Sequence, residues 1–144
     1  MSGDVPIEVA IAILPYEGKF LMQLRDNIPT ILYPGLWGLF GGHIEAGETP
    51  EVAVVREVLE EIGYQIEDPQ KFGCYNDDRV IRHVFYAPLT VSIDKLVLGE
   101  GWDFGFISPA QIEAGFAYSV IAGEERPLGT VHQQITLDFM EWWG

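Results

Sequence analysis

Residues 42–64 read GHIEAGETPEVAVVREVLEEIGY, a glycine-rich turn running into a short amphipathic segment. Thr49 is a good N-cap, Pro50 suits the first helical position and Glu51 complements the positive end of the helix dipole. Gly63 takes the left-handed conformation that closes a helix, so the sequence predicts a helix over 50–62. At about 100° per residue, Glu57, Glu60 and Glu61 fall within an arc of roughly 100°. Val52, Val55, Leu59 and Ile62 fall opposite, as the stripe expected to dock on a core. The carboxylates are thus expected to point away from the docked face, with Arg56 between the two.

A solvated acidic face is the ordinary meaning of such a run. Against it stands the sign pattern: like charges three and four residues apart disfavour a helix by about 0.2–0.5 kcal/mol per pair. At about 6 Å and an effective dielectric near 20, two of them repel by about 3 kcal/mol. Three neighbouring carboxylates make sense around a hard cation such as Mg²⁺, which takes oxygen ligands and keeps several of its waters.

The spacing resembles the Nudix box, G-x5-E-x7-R-E-U-x-E-E-x-G-U with U a bulky apolar residue. Gly42, Glu48, Arg56, Glu57, Val58, Glu60, Glu61, Gly63 and Tyr64 fill its positions without departure. The segments QLRD and YPGLWGLFGGHIEAGE and the stretch from Trp102 to Pro109 are also similar to this family. The resemblance implies an α+β fold, a Nudix α/β/α sandwich with a mixed β-sheet flanked by helices, spanning residues 1–144 as one domain.

The 144 residues suit one core, and 48% hydrophobic content with 12% aromatic residues argues for a packed globule. No apolar run reaches the 18 or so residues of a membrane span. The start, MSGDVPIEV, lacks the features of a signal peptide. With the single Cys74, read as a small strand-core residue, this makes a cytoplasmic protein the expectation. Net charge is −14, from 22 acidic and 8 basic residues, which disfavours binding to a nucleic-acid polymer. A small anionic substrate then needs positive charge supplied locally.

Around the box, Ile7–Leu14 reads as a buried strand, Phe20–Arg25 as its hairpin partner and Leu36–Phe40 as a short strand leading to the glycines. Lys71–Asn76 and Val80–Leu89 read as strands about the Asp77-Asp78 turn, with Thr90–Ile93 as a continuation of the second, and Trp102–Ile107 as another. Ser108-Pro109-Ala110-Gln111 has capping-box form, and Thr130-Val131-His132-Gln133 reads as the opening of a C-terminal helix with Val131, Ile135, Phe139 and Trp142 as its stripe.

The resemblance implies hydrolysis of a diphosphate linkage in a nucleoside diphosphate joined to another group, with Mg²⁺ as cofactor and Mn²⁺ as an alternative. It places metal ligands at Glu57, Glu60, Glu61 and the Gly41 carbonyl, and has Arg56 orient Glu48. It also implies a further acid from the following loop, Glu100 or Asp103, with Glu100 preferred. Arg25, at a strand end, suits bidentate phosphate contact, with Arg79 and Arg82 as weaker candidates. Phe40 and His43 are candidate substrate contacts; Tyr33, Trp37 and Phe85 are read more simply as core. His83 reads as a structural histidine. A small nucleotide, whether a nucleoside triphosphate, oxidised ones included, or a nucleotide sugar, is the expected partner, to a monomer or homodimer. The competing reading is a non-catalytic nucleotide-sensing or protein-interaction module on the same fold.

Overall fold

A computed structural model describes residues 5–31 and 34–143; the Tyr33 candidate lies outside them. Strand β1 (Ile7–Ile13) is central to a mixed sheet of order β5-β1-β7-β6, where β5 is Phe40–His43, β6 Gln70–Asn76 and β7 Val80–Tyr86. β1 and β7 run parallel, with Val9 opposite Arg82 and Ile11 opposite Val84, while β5 is antiparallel to β1, with Ile11 opposite Gly41. A second sheet joins β2 (Pro15–Tyr16), β3 (Lys19–Leu24) and β4 (Trp37–Gly38), and β8 (Asp103–Ile107) lies along β3. A hairpin of β9 (Phe116–Ser119) and β10 (Glu124–Pro127) completes the strands among the described residues.

Helices cover both faces of the first sheet. On one, α1 (Pro50–Ile62) packs Ala53, Val54, Val58 and Ile62 against Ala10, Ala12, Phe40 and Phe85. On the other, α3 (Thr130–Trp143) sets Ile135 and Phe139 against Ile11, Ile13 and Val84. The alternation of side chains along β1 feeds both cores at once. The short helix α2 (Pro109–Ala114) begins with a complete capping box between Ser108 and Gln111.

Helix α1 has the expected ends: Thr49 Oγ1 accepts from Val52 N–H at 3.2 Å, and Gly63 closes it at φ 69°. Its orientation differs from the expected one. Val52 and Leu59 are 55% and 45% exposed, and the docked stripe is Ala53, Val54, Val58 and Ile62. Glu57 and Glu61 share the angular range of that stripe. They point inward, where the apolar floor gives way to a cleft beside Gly41, and not away from the core.

Other expectations also shift. Thr90 does not extend β7; its N–H and hydroxyl meet the Tyr64 hydroxyl, and a 3₁₀ turn follows at Ile93–Lys95. Gly129 N–H bonds the Trp37 carbonyl, so pairing with β4 makes Gly129 the residue before α3 and leaves Thr130 inside the helix. Gln133 consequently donates to Ile112 O on α2 at 2.8 Å. Trp142 is 58% exposed and Val131 only partly buried. Cys74 is exposed: it shares the sheet face with His83 and Glu8, outside the part of that face that α1 covers.

Candidate active site

The box glutamates are placed by two local constraints. Gly41 comes so close to β1 that a Cβ there would lie 2.1 Å from the Ala10 carbonyl oxygen, and one on Gly42 would lie 2.5 Å from the Glu57 carboxyl carbon. The double glycine therefore lets α1 settle against β5 with the Glu57 and Glu61 side chains in between.

Glu61 Oε1 accepts from Gly41 N–H at 3.1 Å, and Oε2 from Gln23 Nε2 at 2.9 Å. Burial, and then the negative charge of Glu57, push its carboxyl up to about 8; the Gly41 N–H, the Gln23 amide and Arg25 oppose this without cancelling it. This is the behaviour of a carboxylate crowded by another in a poorly solvated place.

Arg56 organises the rest. Its Nε and Nη2 grip Glu48 at 2.7 and 2.9 Å, Nη1 reaches Glu57 at 2.9 Å and Glu60 at 3.3 Å, and Nη2 also donates to the His43 carbonyl at 3.1 Å. The Glu48 carboxyl is held down at about 2 by that guanidinium and then by the Glu45 N–H. The glycine-rich turn and the helix are thereby fastened together at a bidentate pair.

Gln23, Arg25, Gly41, Glu57, Glu60, Glu61 and Glu100 line one cleft of about 390 Å³. Glu100 is carried there by its loop, since Gly99 N–H bonds the Glu61 carbonyl at 2.8 Å. Asp103 is engaged elsewhere, accepting from Ser119 Oγ at 2.7 Å and from Phe104 N–H. Of the two acids offered by the sequence, Glu100 is the one at the cleft.

Phe40 does not reach the cleft as a substrate contact. It is fully buried on the α1 side of the sheet, because β5 alternation puts it on the opposite face from Gly41 and His43. It is core, not a substrate contact, as are Trp37 and Phe85. His83 Nε2 pairs with Glu8 at 2.9 Å. His43 and Arg82 line a second, neighbouring cavity together with His132. Gln23 and His132 also reach these cavities, although an amide in an apolar strand and a histidine in the first turn of a helix carry little signal in sequence until folding brings them to a cleft.

Among the described residues no three His, Cys, Asp or Glu side chains close on a common point. The donor set nevertheless fits a hard divalent cation: three carboxylates and a glycine backbone, all oxygen. The mutual repulsion recorded in Glu61 is the electrostatic demand that a cation would meet.

A family model described as NUDIX domain matches residues 6–121. The chain is 33% identical over 82 residues to a Bacillus subtilis protein provisionally named an 8-oxo-dGTP diphosphatase, covering 56% of this chain and 51% of that one. It thus spans about half the length of that relative. It is 25% identical over 119 residues to the nucleoside triphosphatase NudI of Salmonella agona, covering 72% of this chain and 83% of that protein. The NUDIX domain of Shewanella oneidensis NrtR, solved with ADP-ribose, superposes with a TM-score of 0.75 at 19% identity, over 98% of this chain and 90% of that one.

Proposed function

Because the chain belongs to the NUDIX domain family, we propose that it hydrolyses a diphosphate bond in a small nucleotide with Mg²⁺ or Mn²⁺ bound at Glu57, Glu60, Glu61 and the Gly41 carbonyl. The observation that carries this reading is the gathering of three box glutamates, Gly41 and Arg25 on one cleft beside an arginine-locked turn. The metal, when bound, supplies charge neutralisation for the phosphate oxygens and a lowered pKa for water.

The chain's own residues do the rest. Arg25, on the wall of the cleft, grips a phosphate oxygen pair of the substrate in this reading, the contact a guanidinium fork suits. Gln23 and the Gly41 N–H fix the rotamer of Glu61 from two sides. Arg56, anchored on Glu48, sets the positions of Glu57 and Glu60 without reaching substrate, the kind of support whose loss costs about 10–100-fold. Glu100, exposed on its loop at the cleft, accepts a proton from the attacking water.

Substrates named for the relatives, 8-oxo-dGTP and nucleoside triphosphates, support a nucleoside triphosphate as first choice and a nucleotide sugar as second. A nucleotide panel assayed for phosphate and pyrophosphate release, with and without EDTA, tests the reading. Metal-dependent release supports it. Nucleotide binding without turnover at any metal concentration favours the non-catalytic module instead. No helix among the described residues is long and apolar enough to cross a membrane.

A further inference from the structure

Arg126 lies on β10, beyond the residues that the family model matches. Its Nε donates to the Gly35 carbonyl at 3.0 Å, and its guanidinium carbon stands 5.7 Å from the centre of the Trp102 ring, within the range at which a cation is drawn to an aromatic face. Gly35 takes φ 66°, and a Cβ there would lie 2.4 Å from Arg126 Nη2. The guanidinium therefore packs on bare backbone on one side and on an aromatic ring on another.

Both contacts converge on one short stretch at the end of β3. Arg25 N–H bonds the Leu36 carbonyl and Gly35 N–H the Asp26 carbonyl, each at 3.1 Å, while Trp102 N–H bonds the Leu24 carbonyl at 2.8 Å. Leu24 is opposite Trp37 on β4 and opposite Asp103 on β8, so Gly35 and Trp102 continue the two flanks of β3 past its end. Arg126 touches both flanks and closes them around Arg25. The hairpin that carries it is fastened to the same two strands: Trp37 Nε1 donates to the Ala117 carbonyl at 3.0 Å, and Ser119 Oγ to Asp103 at 2.7 Å.

A surface ion pair is the plainer account of Arg126. Its Nη1 meets Glu124 at 3.3 Å, but that carboxylate is 53% exposed, and exposed pairs contribute little. The pair also leaves the bond to Gly35 and the contact with Trp102 unexplained. Arg25 and Asp26 line the carboxylate cleft and Arg126 does not, so any effect of Arg126 on the cleft passes through the strand end.

We propose that Arg126 is a positioning residue: by clamping the β4 and β8 flanks of the β3 end, it holds Arg25 where its guanidinium meets the phosphate of the substrate. This rests on the hydrolase reading of the cleft. A long side chain at a strand end is accurate only if its backbone is fixed, and small misplacements of a binding group are expensive in rate.

The test is a double-mutant cycle on kcat and KM for dGTP with Mg²⁺. Arg126→Met keeps the stem and loses the donors and the charge, and is expected to lower kcat/KM by about 10–100-fold, chiefly through KM. The Mg²⁺ concentration for half-activation is expected to stay unchanged, because the contacts of the box glutamates are untouched. In an Arg25→Met background the same change is expected to cost less than about threefold, since the group it positions is gone. A purely structural role lowers both backgrounds by the same factor. That additive result, a parental kcat/KM in the single variant, or a loss that is restored by raising Mg²⁺ overturns the inference and leaves the hydrolase reading intact. Where Arg126→Met fails to fold, Arg126→Lys, which keeps a donor and the charge but not the fork, takes its place in the cycle. If dGTP is not turned over, the cycle is read from calorimetric binding of pyrophosphate with Mg²⁺. The same coupling there supports the inference, and additive losses or no binding overturn it, while the nucleotide panel judges the hydrolase reading separately.

Discussion

Replacing Glu61 by Gln is expected to make the metal-free protein more stable and catalytically dead. A glutamate whose carboxyl titrates at about 8 in the fold instead of 4.5 binds a proton on folding throughout the interval between. Such a group is neutral in cost below about pH 4.5 and costs progressively more stability as pH rises to 8. At pH 8 the full shift of about 3.5 units is worth about 5 kcal/mol at 1.36 kcal/mol per unit. Glu61 keeps part of its surface in the cleft, so solvent relaxation reduces this to about 2 kcal/mol. Glutamine has the same shape: its carbonyl still accepts from Gly41 N–H, and a flip of the Gln23 amide restores the other bond. With an unfolding entropy of about 0.3 kcal/mol/K for a chain of this size, 2 kcal/mol raises Tm by about 7 °C. Thermal unfolding of parent and Glu61→Gln in EDTA at pH 8 and pH 5 reads this directly. The gain is expected at pH 8 and nearly absent at pH 5. In millimolar Mg²⁺ the order reverses, because only the parent gains from ligand binding. A variant in EDTA at pH 8 that is no more stable than the parent refutes the electrostatic reasoning.

His132, pushed down to about 4 chiefly by burial and then by Arg82 and Arg25, stays neutral in the fold while the unfolded chain takes up a proton below pH 6.5. It contributes about 2–3 kcal/mol that is present above pH 6.5 and lost as pH falls toward 4, and His132→Asn is expected to flatten that part of a urea-midpoint profile. Gly41→Ala places a Cβ 2.1 Å from the Ala10 carbonyl oxygen and is expected to lower both Tm and turnover, since β5 must move away from β1 and carries with it the Gly41 N–H that Glu61 accepts. Arg56→Lys loses the fork to Glu48 while keeping the charge, and is expected to weaken Mg²⁺ activation about 10–100-fold with little change in Tm. Glu100→Gln is expected to lower kcat by at least about tenfold, whereas Asp103→Asn, which disturbs the Ser119 contact, is expected to lower Tm more than kcat.

The box helix was legible in residues 49–63 because its caps and period are local properties. Its rotation was not, because Val52 and Leu59 look like core residues until the chain shows that Ala53, Val54 and Val58 fit the close approach of β5 and leave Val52 and Leu59 outside. Strands β1 and β7 of the first sheet were readable from their β-branched runs. The β9–β10 hairpin escaped notice, since FAYSVIAGEERP has neither clean alternation nor a two-residue turn signal. In the site, spacing identified Glu57, Glu60, Glu61 and Arg56 as a group. Gln23, Arg82 and His132 reach their clefts only through strand register and helix packing, and a contact made by tertiary structure leaves little trace in sequence order. Phe40 shows the reverse error: nearness to the glycines in sequence put it at the cleft, and strand alternation took it to the other face.

The central claim, that these glutamates form the metal platform of a nucleotide hydrolase, is tested most directly at Glu60. It is 59% exposed in its side chain, so Glu60→Gln has little reason to disturb the fold. Turnover of the parent's preferred nucleotide is expected to be abolished by EDTA, restored by Mg²⁺ or Mn²⁺, and lowered by two or more orders of magnitude in Glu60→Gln with Tm unchanged. A Glu60→Gln protein as active as the parent, or turnover that persists in EDTA, would contradict the account.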